Sequence, residues 1–360
     1  MFFPAAAAYG LLVLPGSVLS LLGFMPGPPG LASPIGHAHE MLFGFTLAVV
    51  AGNQLGPTSV GRLAVLFGLW ASARVAFLFL PQSTGAMTAN MAFAALLAWQ
   101  LTPRLFGSAK KLRNQALPLV LTSVCASAIA LQVALRTGSA AAAHAILGVS
   151  IPLVSLLMLF MGGRLIAPAV AGQFYRQGDR LEARVQPRLE GGLIVAMTIA
   201  AAAAPFADKA WGASLGALAM VAAGALAATR LLRWRLWALR SRPDLLCLAA
   251  GYAWLAIGIF VSGIALAAGR YQTAALHVIV VGSLGTLTLN VMGMTRLLKA
   301  RKDPSRARLP VWGTFLVGAA AMARVASGLG IGDARILLPV ASLCWSAAFA
   351  LLLWLLVRVR

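Results

Sequence analysis

Apolar stretches long enough to cross a lipid bilayer follow one another along nearly the whole chain. A hydrocarbon core about 30 Å thick needs roughly 20 apolar residues in a helix. Charged residues make up only 10% of the 360 residues, whereas soluble proteins carry about 25%, so soluble, disordered and fibrous classes are excluded. Cutting at charges, prolines and glycines predicts helices over residues 5–24, 37–56, 60–80, 84–101, 115–135, 140–162, 191–206, 210–229, 244–267, 273–295, 310–330 and 334–357.

The fold class that follows is all-α, a polytopic transmembrane helical bundle of about 12 spans. We expect residues 1–360 to form a single integral-membrane domain. The cysteines Cys125, Cys247 and Cys344 lie far apart within spans. Neither a disulfide framework nor a covalent haem motif is therefore expected.

The basic residues set the expected topology. The net charge is +21, but a nucleic-acid site would need these charges clustered on a folded surface. Instead, 23 of the 29 Lys and Arg residues, Lys110 and Arg360 among them, lie in loops after even-numbered spans or at the C-terminus. The positive-inside rule then predicts that both termini are cytoplasmic. The expected partner of these charges is the lipid bilayer, and no nucleic acid.

Ionisable side chains within apolar spans are costly and mark functional sites. The ones of interest here are His37, His39, Glu40, Arg74, His144, His277 and Arg324. With the predicted topology, all of them lie in the outer leaflet, and the two arginines lie roughly 9 Å below the outer ends of their helices at 1.5 Å per residue. The sequence predicts a functional layer at this level, although interfacial histidines and snorkelling arginines would give the same pattern.

The first histidines of this layer begin span 2 after a proline and a glycine. At a helix N-terminus the dipole disfavours imidazolium and favours a carboxylate. On a regular helix His37 and Glu40 share a face, and His39 points to the other side. We therefore expect Glu40 to be able to orient the ring of His37, which leaves His39 for a different partner or for a capping role.

A weak internal repeat accompanies the histidines. Spans 2, 6 and 10 begin near His39, His144 and His277, each followed by a glycine within a few residues. A repeat of four-helix units would explain this pattern, and so would chance, because glycine and alanine are common in this chain.

Several stretches resemble the NnrS family of bacterial inner-membrane proteins. They are residues 37–45 (His-Ala-His-Glu-Met-Leu-Phe-Gly-Phe) with Ala51-Gly52, and residues 162–168, 251–255 and 275–289. The resemblance implies a twelve-helix protein that carries haem and copper, acts in the nitric oxide response and protects against nitrosative stress. Two stretches of this chain differ from the family. Many members have a histidine within the positions of residues 248–250 and another within the positions of residues 294–298, and this chain has neither.

A non-covalent haem requires axial imidazoles, an apolar slot between helices and cations for its propionates. We expect His37 or His39, together with His277, to ligate the iron. Copper prefers histidine and sulfur ligands, which Met41 and a spare histidine could supply. The candidate metal ligands are therefore His37, His39, His144 and His277.

The two arginines of the layer are the expected propionate partners. Guanidinium binds carboxylate through two parallel hydrogen bonds, so Arg74 and Arg324 could each hold a haem propionate. The alternative is that one of them pairs with Glu40.

Two other classes of function remain open. A multi-span transporter or channel would use the histidine, glutamate and arginine side chains as a proton or substrate site. A non-catalytic cofactor-handling factor is the other alternative. The sequence does not decide whether the chain is an enzyme or whether its partners include nitric oxide and a membrane electron donor.

Reporter fusions check the predicted topology. Fusions at residues 110, 180, 238 and at the C-terminus should all report the cytoplasmic side, because positively charged loops are retained there. If two or more of these fusions report the outer side, the span count and the common level of the histidines are both wrong.

Overall fold

The computed structural model describes residues 1–109, 111–270 and 272–359, and every regular element in these residues is a helix. Lys110 and Arg360, which the topology argument uses, lie outside the described residues. The chain divides into two compact units, unit 1 (Met1–Val154) and unit 2 (Ser155–Arg360). The all-α class predicted from the sequence is confirmed.

Unit 1 is built from long helices joined by short turns. They are α1 (Phe2–Leu21), α2 (Pro34–His39), α3 (Thr46–Gln54), α4 (Val60–Phe79), α5 (Thr84–Ser108), α6 (Leu112–Arg136) and most of α7 (Ala140–Met161). Helix α5 packs against α4 and α6, and α1 packs against α3.

Unit 2 begins within α7. Its other helices are α8 (Ala167–Arg176), α9 (Pro187–Ala203), α10 (Ala210–Arg233), α11 (Pro243–Ala268), α12 (Gln272–His277), α13 (Leu284–Lys299), α14 (Arg308–Gly328) and α15 (Ala334–Arg358). Helix α10 packs against α9 and α11, and α14 packs against α12, α13 and α15.

Eleven helical segments of the described chain are long and apolar enough to cross a membrane. They match eleven of the twelve predicted spans. The remaining predicted span, residues 84–101, is also helical and forms most of α5, whose polar Asn90 and Gln100 lower its mean hydropathy. The polytopic helical architecture is thus confirmed, while the side of the membrane on which each terminus lies stays a prediction.

Three short π-helices interrupt the spans. They are Glu40–Phe45 between α2 and α3, Gly162–Ile166 between α7 and α8, and Val278–Ser283 between α12 and α13. A π-helix bonds residue i to residue i+5, and such segments are frequent at functional sites.

Side chains donate additional hydrogen bonds to backbone carbonyls of the first π-helix. The Thr46 hydroxyl donates to the carbonyl oxygen of Met41 at 2.9 Å, and the indole Nε1–H of Trp70 in α4 donates to the carbonyl oxygen of Gly44 at 2.9 Å. Because lipid offers no hydrogen-bond partner, irregular backbone at membrane depth requires such protein partners.

The broken spans of the two units correspond in detail. Helices α2 and α12 both have six residues and end in a histidine, each is followed by a six-residue π-helix, and a glycine lies five positions after the histidine. The residues concerned are His39 with Gly44 and His277 with Gly282. In span 6, by contrast, the π-helix follows the C-terminal end of α7, far from His144. The histidine pattern therefore marks equivalent structures in spans 2 and 10, and not in span 6.

A glycine of the third π-helix permits close packing, which a substitution can test. A Cβ added at Gly282 would lie 2.8 Å from the Trp254 ring in α11. The Gly282→Ala variant should therefore lose about 1–3 kcal/mol of stability through overpacking, measured as a lower unfolding temperature in detergent. The matched control is Gly318→Ala in α14, where no atom lies within 4 Å of the added Cβ. Equal unfolding temperatures for the two variants would contradict the close contact.

Candidate functional site

The carboxylate of Glu40, the first residue of the first π-helix, is completely buried and bound by three donors. Its Oε1 accepts hydrogen bonds from Arg74 at 2.7 Å and from His39 Nδ1 at 2.8 Å. Its Oε2 accepts a hydrogen bond from the Tyr9 hydroxyl of α1. One carboxylate thus joins α1, α2 and α4, as burial of a charge without water requires.

Arg74, in the C-terminal half of α4, has two partners of its own. One guanidinium nitrogen donates to Glu40, and the other donates to the side-chain oxygen of Asn90 in α5. Asn90 is held by its own donation to the carbonyl oxygen of Ala86 at 2.8 Å. Gly44 leaves room for this guanidinium, because a Cβ there would lie 2.5 Å from it. The structure therefore shows the pairing with Glu40 that the sequence left open for one arginine.

His39 is the histidine that Glu40 orients, and the expectation that this would be His37 is wrong. The ring of His39 is 1% exposed and stacks on Phe77 at 4.0 Å between centroids. His39 and Glu40 meet because the helix changes from α to π between them, and its wider turn reduces the angle between successive side chains. Glu40 accepts from Nδ1, while the Nε2 atom lies 2.6 Å from the amide nitrogen of Gln132 in α6. The imidazole is therefore neutral, with its proton on Nδ1 and its lone pair on Nε2.

The other two histidines of unit 1 have hydrogen-bond partners of their own. His37 is half-buried and its Nδ1 lies 3.0 Å from the Ser17 hydroxyl of α1. His144 is exposed, and its Nδ1–H donates to the carbonyl oxygen of Ala140 in its own helix at 2.8 Å. His39 is thus the unit 1 histidine that joins Glu40 to Gln132.

Unit 2 holds the remaining predicted site residues. His277 is half-buried, and its Nδ1–H donates to the carbonyl oxygen of Thr273 at 2.6 Å. Arg324 is half-buried in α14, close to Gly328, whose added Cβ would lie 3.2 Å from a guanidinium nitrogen and 2.8 Å from Cβ of Ala274. Ala274 precedes His277 by about one turn of α12, so a guanidinium and an imidazole lie on neighbouring helices.

No group of three or more His, Cys, Asp or Glu side chains that could hold a metal ion occurs in the described part of the chain. A haem iron needs only one or two protein ligands. The predicted ligation of haem and of copper stays a prediction for His37, His39, His144 and His277.

The sequence did not reveal the neutral partners of the cluster. Tyr9, Asn90 and Gln132 surround Glu40, Arg74 and His39 from three different helices, and Asn90 and Gln132 are buried. A polar amide within an apolar span was the one available signal, since such a group must find a partner inside the protein.

A second cluster in unit 2 explains the two glycines that begin the stretch of residues 162–168. Arg230, which the sequence assigned to a loop, is 3% exposed and donates to Glu190 at 2.9 Å and to the carbonyl oxygen of Leu159 at 3.0 Å. An added Cβ at Gly163 would strike this guanidinium, and one at Gly162 would strike the Tyr252 ring. The two glycines of the second π-helix are thus required by close packing.

The Arg74–Glu40 pair predicts a specific pattern of stability. Arg74→Leu should lower stability by about 3–5 kcal/mol, because it leaves the Glu40 carboxylate buried without its cationic partner. Adding Glu40→Gln should recover most of the loss, since the amide carries no charge. Unfolding temperature in detergent measures both effects.

The matched control for this test is Arg62→Leu, which removes an exposed arginine from the same helix. It should change stability little. If the Arg74→Leu/Glu40→Gln double variant is as unstable as Arg74→Leu alone, the ion pair is contradicted.

The sequence was compared with known proteins. The model of the family described as NnrS protein matches residues 1–359. No curated protein matches the chain. Because the family match covers nearly every residue, the chain belongs to the NnrS family.

Proposed function

We propose that this chain is a haem-containing protein of the bacterial inner membrane that acts in the nitric oxide response and in protection against nitrosative stress. Membership of the NnrS family supports the proposal. The structural observation that carries it is the state of His277, whose Nδ1–H is held by the Thr273 carbonyl oxygen. A neutral imidazole with this hydrogen bond has its lone pair on Nε2, from which a histidine can ligate iron.

The side chains near His277 are suited to a haem. Helix α12 packs against α14, which carries Arg324. No carboxylate of the described residues forms a salt bridge with Arg324. His277 would be an axial ligand and Arg324 would bind a propionate through charge-assisted hydrogen bonds. When bound, haem supplies an iron at which nitric oxide can bind.

In unit 1, the side chains around Glu40 already bind one another, so they are less suited than those near His277 to contact a haem. Arg74 is already bound by Glu40 and Asn90, which argues for a structural role over a propionate contact. His39 has the carboxylate-supported ring found in metal-binding histidines, but its Nε2 lies against the amide of Gln132. Ligation by His39 would require this amide to turn away.

Optical spectra of the purified protein test the proposal. The protein should show a Soret band, and His277→Gly should shift or abolish it without preventing membrane insertion, because the iron loses an axial ligand. Added imidazole should restore the band by occupying the space of the missing ring. Metal analysis of the same samples reports iron and copper separately. A colourless wild-type protein expressed with sufficient haem would refute the proposal.

The propionate and second-ligand roles need their own variants. Arg324→Leu should reduce haem occupancy, whereas the exposed Arg335→Leu in α15 should keep it. A His37/His39 double replacement tests the second axial ligand. If this double variant and His277→Gly both keep the wild-type spectrum, these histidines are not ligands.

A proton pathway is the second candidate function, because buried hydrogen-bonding groups form a connected chain in unit 1. Tyr9, Glu40, His39 and Gln132 contact one another in that order. Chains of ionisable groups within spans are typical of proton relays. Proton flux into liposomes that contain the protein, lost in Glu40→Gln, would favour this function over haem binding.

A further inference from the structure

One end of unit 2 contains an open pocket of about 780 Å³. Its walls come from α8, from the first residues of α11, from the last turns of α13 and from residues 301–305. These are the ends of spans, where the hydrocarbon core of a bilayer meets the lipid headgroups.

The pocket is lined by more positive than negative charge. Four basic residues and two carboxylates line it. Asp244 is 7% exposed and binds Arg242 through two hydrogen bonds of 2.9 and 2.7 Å. Arg242 also donates to the side-chain oxygen of Gln173 at 2.7 Å, and Arg176 donates to the same oxygen. The Asp244 charge is thus compensated, and Arg242 is held in a fixed position.

Arg301 and Lys302 supply the uncompensated charge. Both are exposed, and neither forms a salt bridge with any described carboxylate. The neighbouring Asp303 accepts a backbone hydrogen bond from Ser305 at 3.0 Å, which holds the pKa of its carboxyl below the ordinary value, and it lies 3.9 Å from Arg306. The Asp303 carboxylate is thus bound by Ser305 and Arg306, and it forms no salt bridge with Arg301 or Lys302 among the described contacts.

Arg301 has a left-handed backbone conformation, which is unfavourable for any residue with a side chain. Arg301 has φ of 55° and caps α13, with its N–H bonded to the Leu298 carbonyl oxygen and the N–H of Lys302 bonded to that of Leu297. This pair of bonds defines a Schellman motif, whose left-handed position is usually glycine. Five other described helix ends have the same pair of bonds, and all of them use glycine there: Gly23, Gly138, Gly178, Gly269 and Gly330.

The rest of the pocket lining is apolar. Met294, Leu298, Leu245 and Pro168 lie beside the cations. A freely soluble anion would gain no binding energy from these apolar side chains. A phospholipid has a phosphate and an acyl chain side by side, so it can contact both the cations and the apolar surface. Phosphate is also the anion that clustered Lys and Arg residues near a membrane bind.

We propose that this pocket binds the phosphate headgroup of an anionic phospholipid, with Arg301 and Lys302 contacting the phosphate and Arg242 fixed beside them by Asp244. The proposal does not depend on haem binding.

Lipid titration of the purified full-length protein tests the proposal. Phosphatidylglycerol, added to the protein in neutral detergent, should raise the unfolding temperature and be retained in native mass spectrometry more strongly than phosphatidylcholine with the same acyl chains. Arg301→Gly should weaken phosphatidylglycerol binding about fivefold to tenfold, the effect expected for one basic residue near the membrane. Its unfolding temperature without lipid should stay the same or rise, because glycine suits the left-handed position.

The matched control is Arg235→Gly. Arg235 is the other described residue besides glycine with a positive φ, at 52°, and it does not line the pocket. This variant should bind phosphatidylglycerol like the wild type. Equal lipid binding by the wild type and Arg301→Gly, or an equal loss in both variants, would overturn the proposal.

A titration with inorganic phosphate distinguishes a lipid headgroup from a soluble anion as the ligand of the pocket. In neutral detergent without added lipid, phosphate alone should produce no stabilisation that depends on Arg301. If phosphate stabilises the wild type but not Arg301→Gly, and phosphatidylglycerol gives no additional effect, the pocket binds a soluble anion and the lipid proposal is wrong.

Discussion

The carboxylate of Glu40 shows the constraint under which this chain folds: a charge buried within a bilayer has to find its partners in the protein itself. Its three donors come from Tyr9, His39 and Arg74, and Asn90 binds the guanidinium from a further span. Removing one partner would leave the others buried without compensation, which is more costly than never having buried them. The cluster therefore constrains the packing of α1, α2, α4 and α5, and Gly44 has no side chain because Arg74 occupies that space.

The same backbone arrangement appears with different chemistry in the two units. A histidine ends a six-residue helix, and a π-helix follows, in both units. In unit 1 the next residue is Glu40, which draws His39 and Arg74 into a closed network. In unit 2 the next residue is Val278, and the half-buried Arg324 has no carboxylate partner among the described residues. In unit 1 the charges are thus compensated within the network, whereas in unit 2 the arginine and the imidazole on neighbouring helices are the basis of the proposed haem site.

The residues that end the helices in a left-handed conformation differ in one informative case. At five other described helix ends with the same two hydrogen bonds, the left-handed position is glycine, as at Gly138 and Gly330. At the end of α13 the same position is Arg301, which lines a pocket with three other basic residues, one of which, Arg242, is held by Asp244. A residue that keeps an unfavourable backbone conformation indicates a role for its side chain. Arg301 and the Glu40 cluster both reflect the electrostatics of a membrane protein. Arg301 follows the end of a span, and Glu40 lies within one.

The sequence by itself determined the fold class, because apolar stretches of bilayer length can satisfy their backbone only as helices, and each predicted span is indeed helical. It also identified His39, Glu40 and Arg74 as unusual, since ionisable groups in such stretches demand an explanation. It could not determine that Glu40 binds His39 and not His37, because a regular helical period was assumed and the π-helix at residue 40 alters that period. The partners Tyr9, Asn90 and Gln132 lie on three other helices, and the burial of Arg230 depends on Glu190 from another. Contacts of this kind were decided only by the tertiary structure, because hydropathy specifies that a helix crosses the membrane but not which of its faces meets which neighbour.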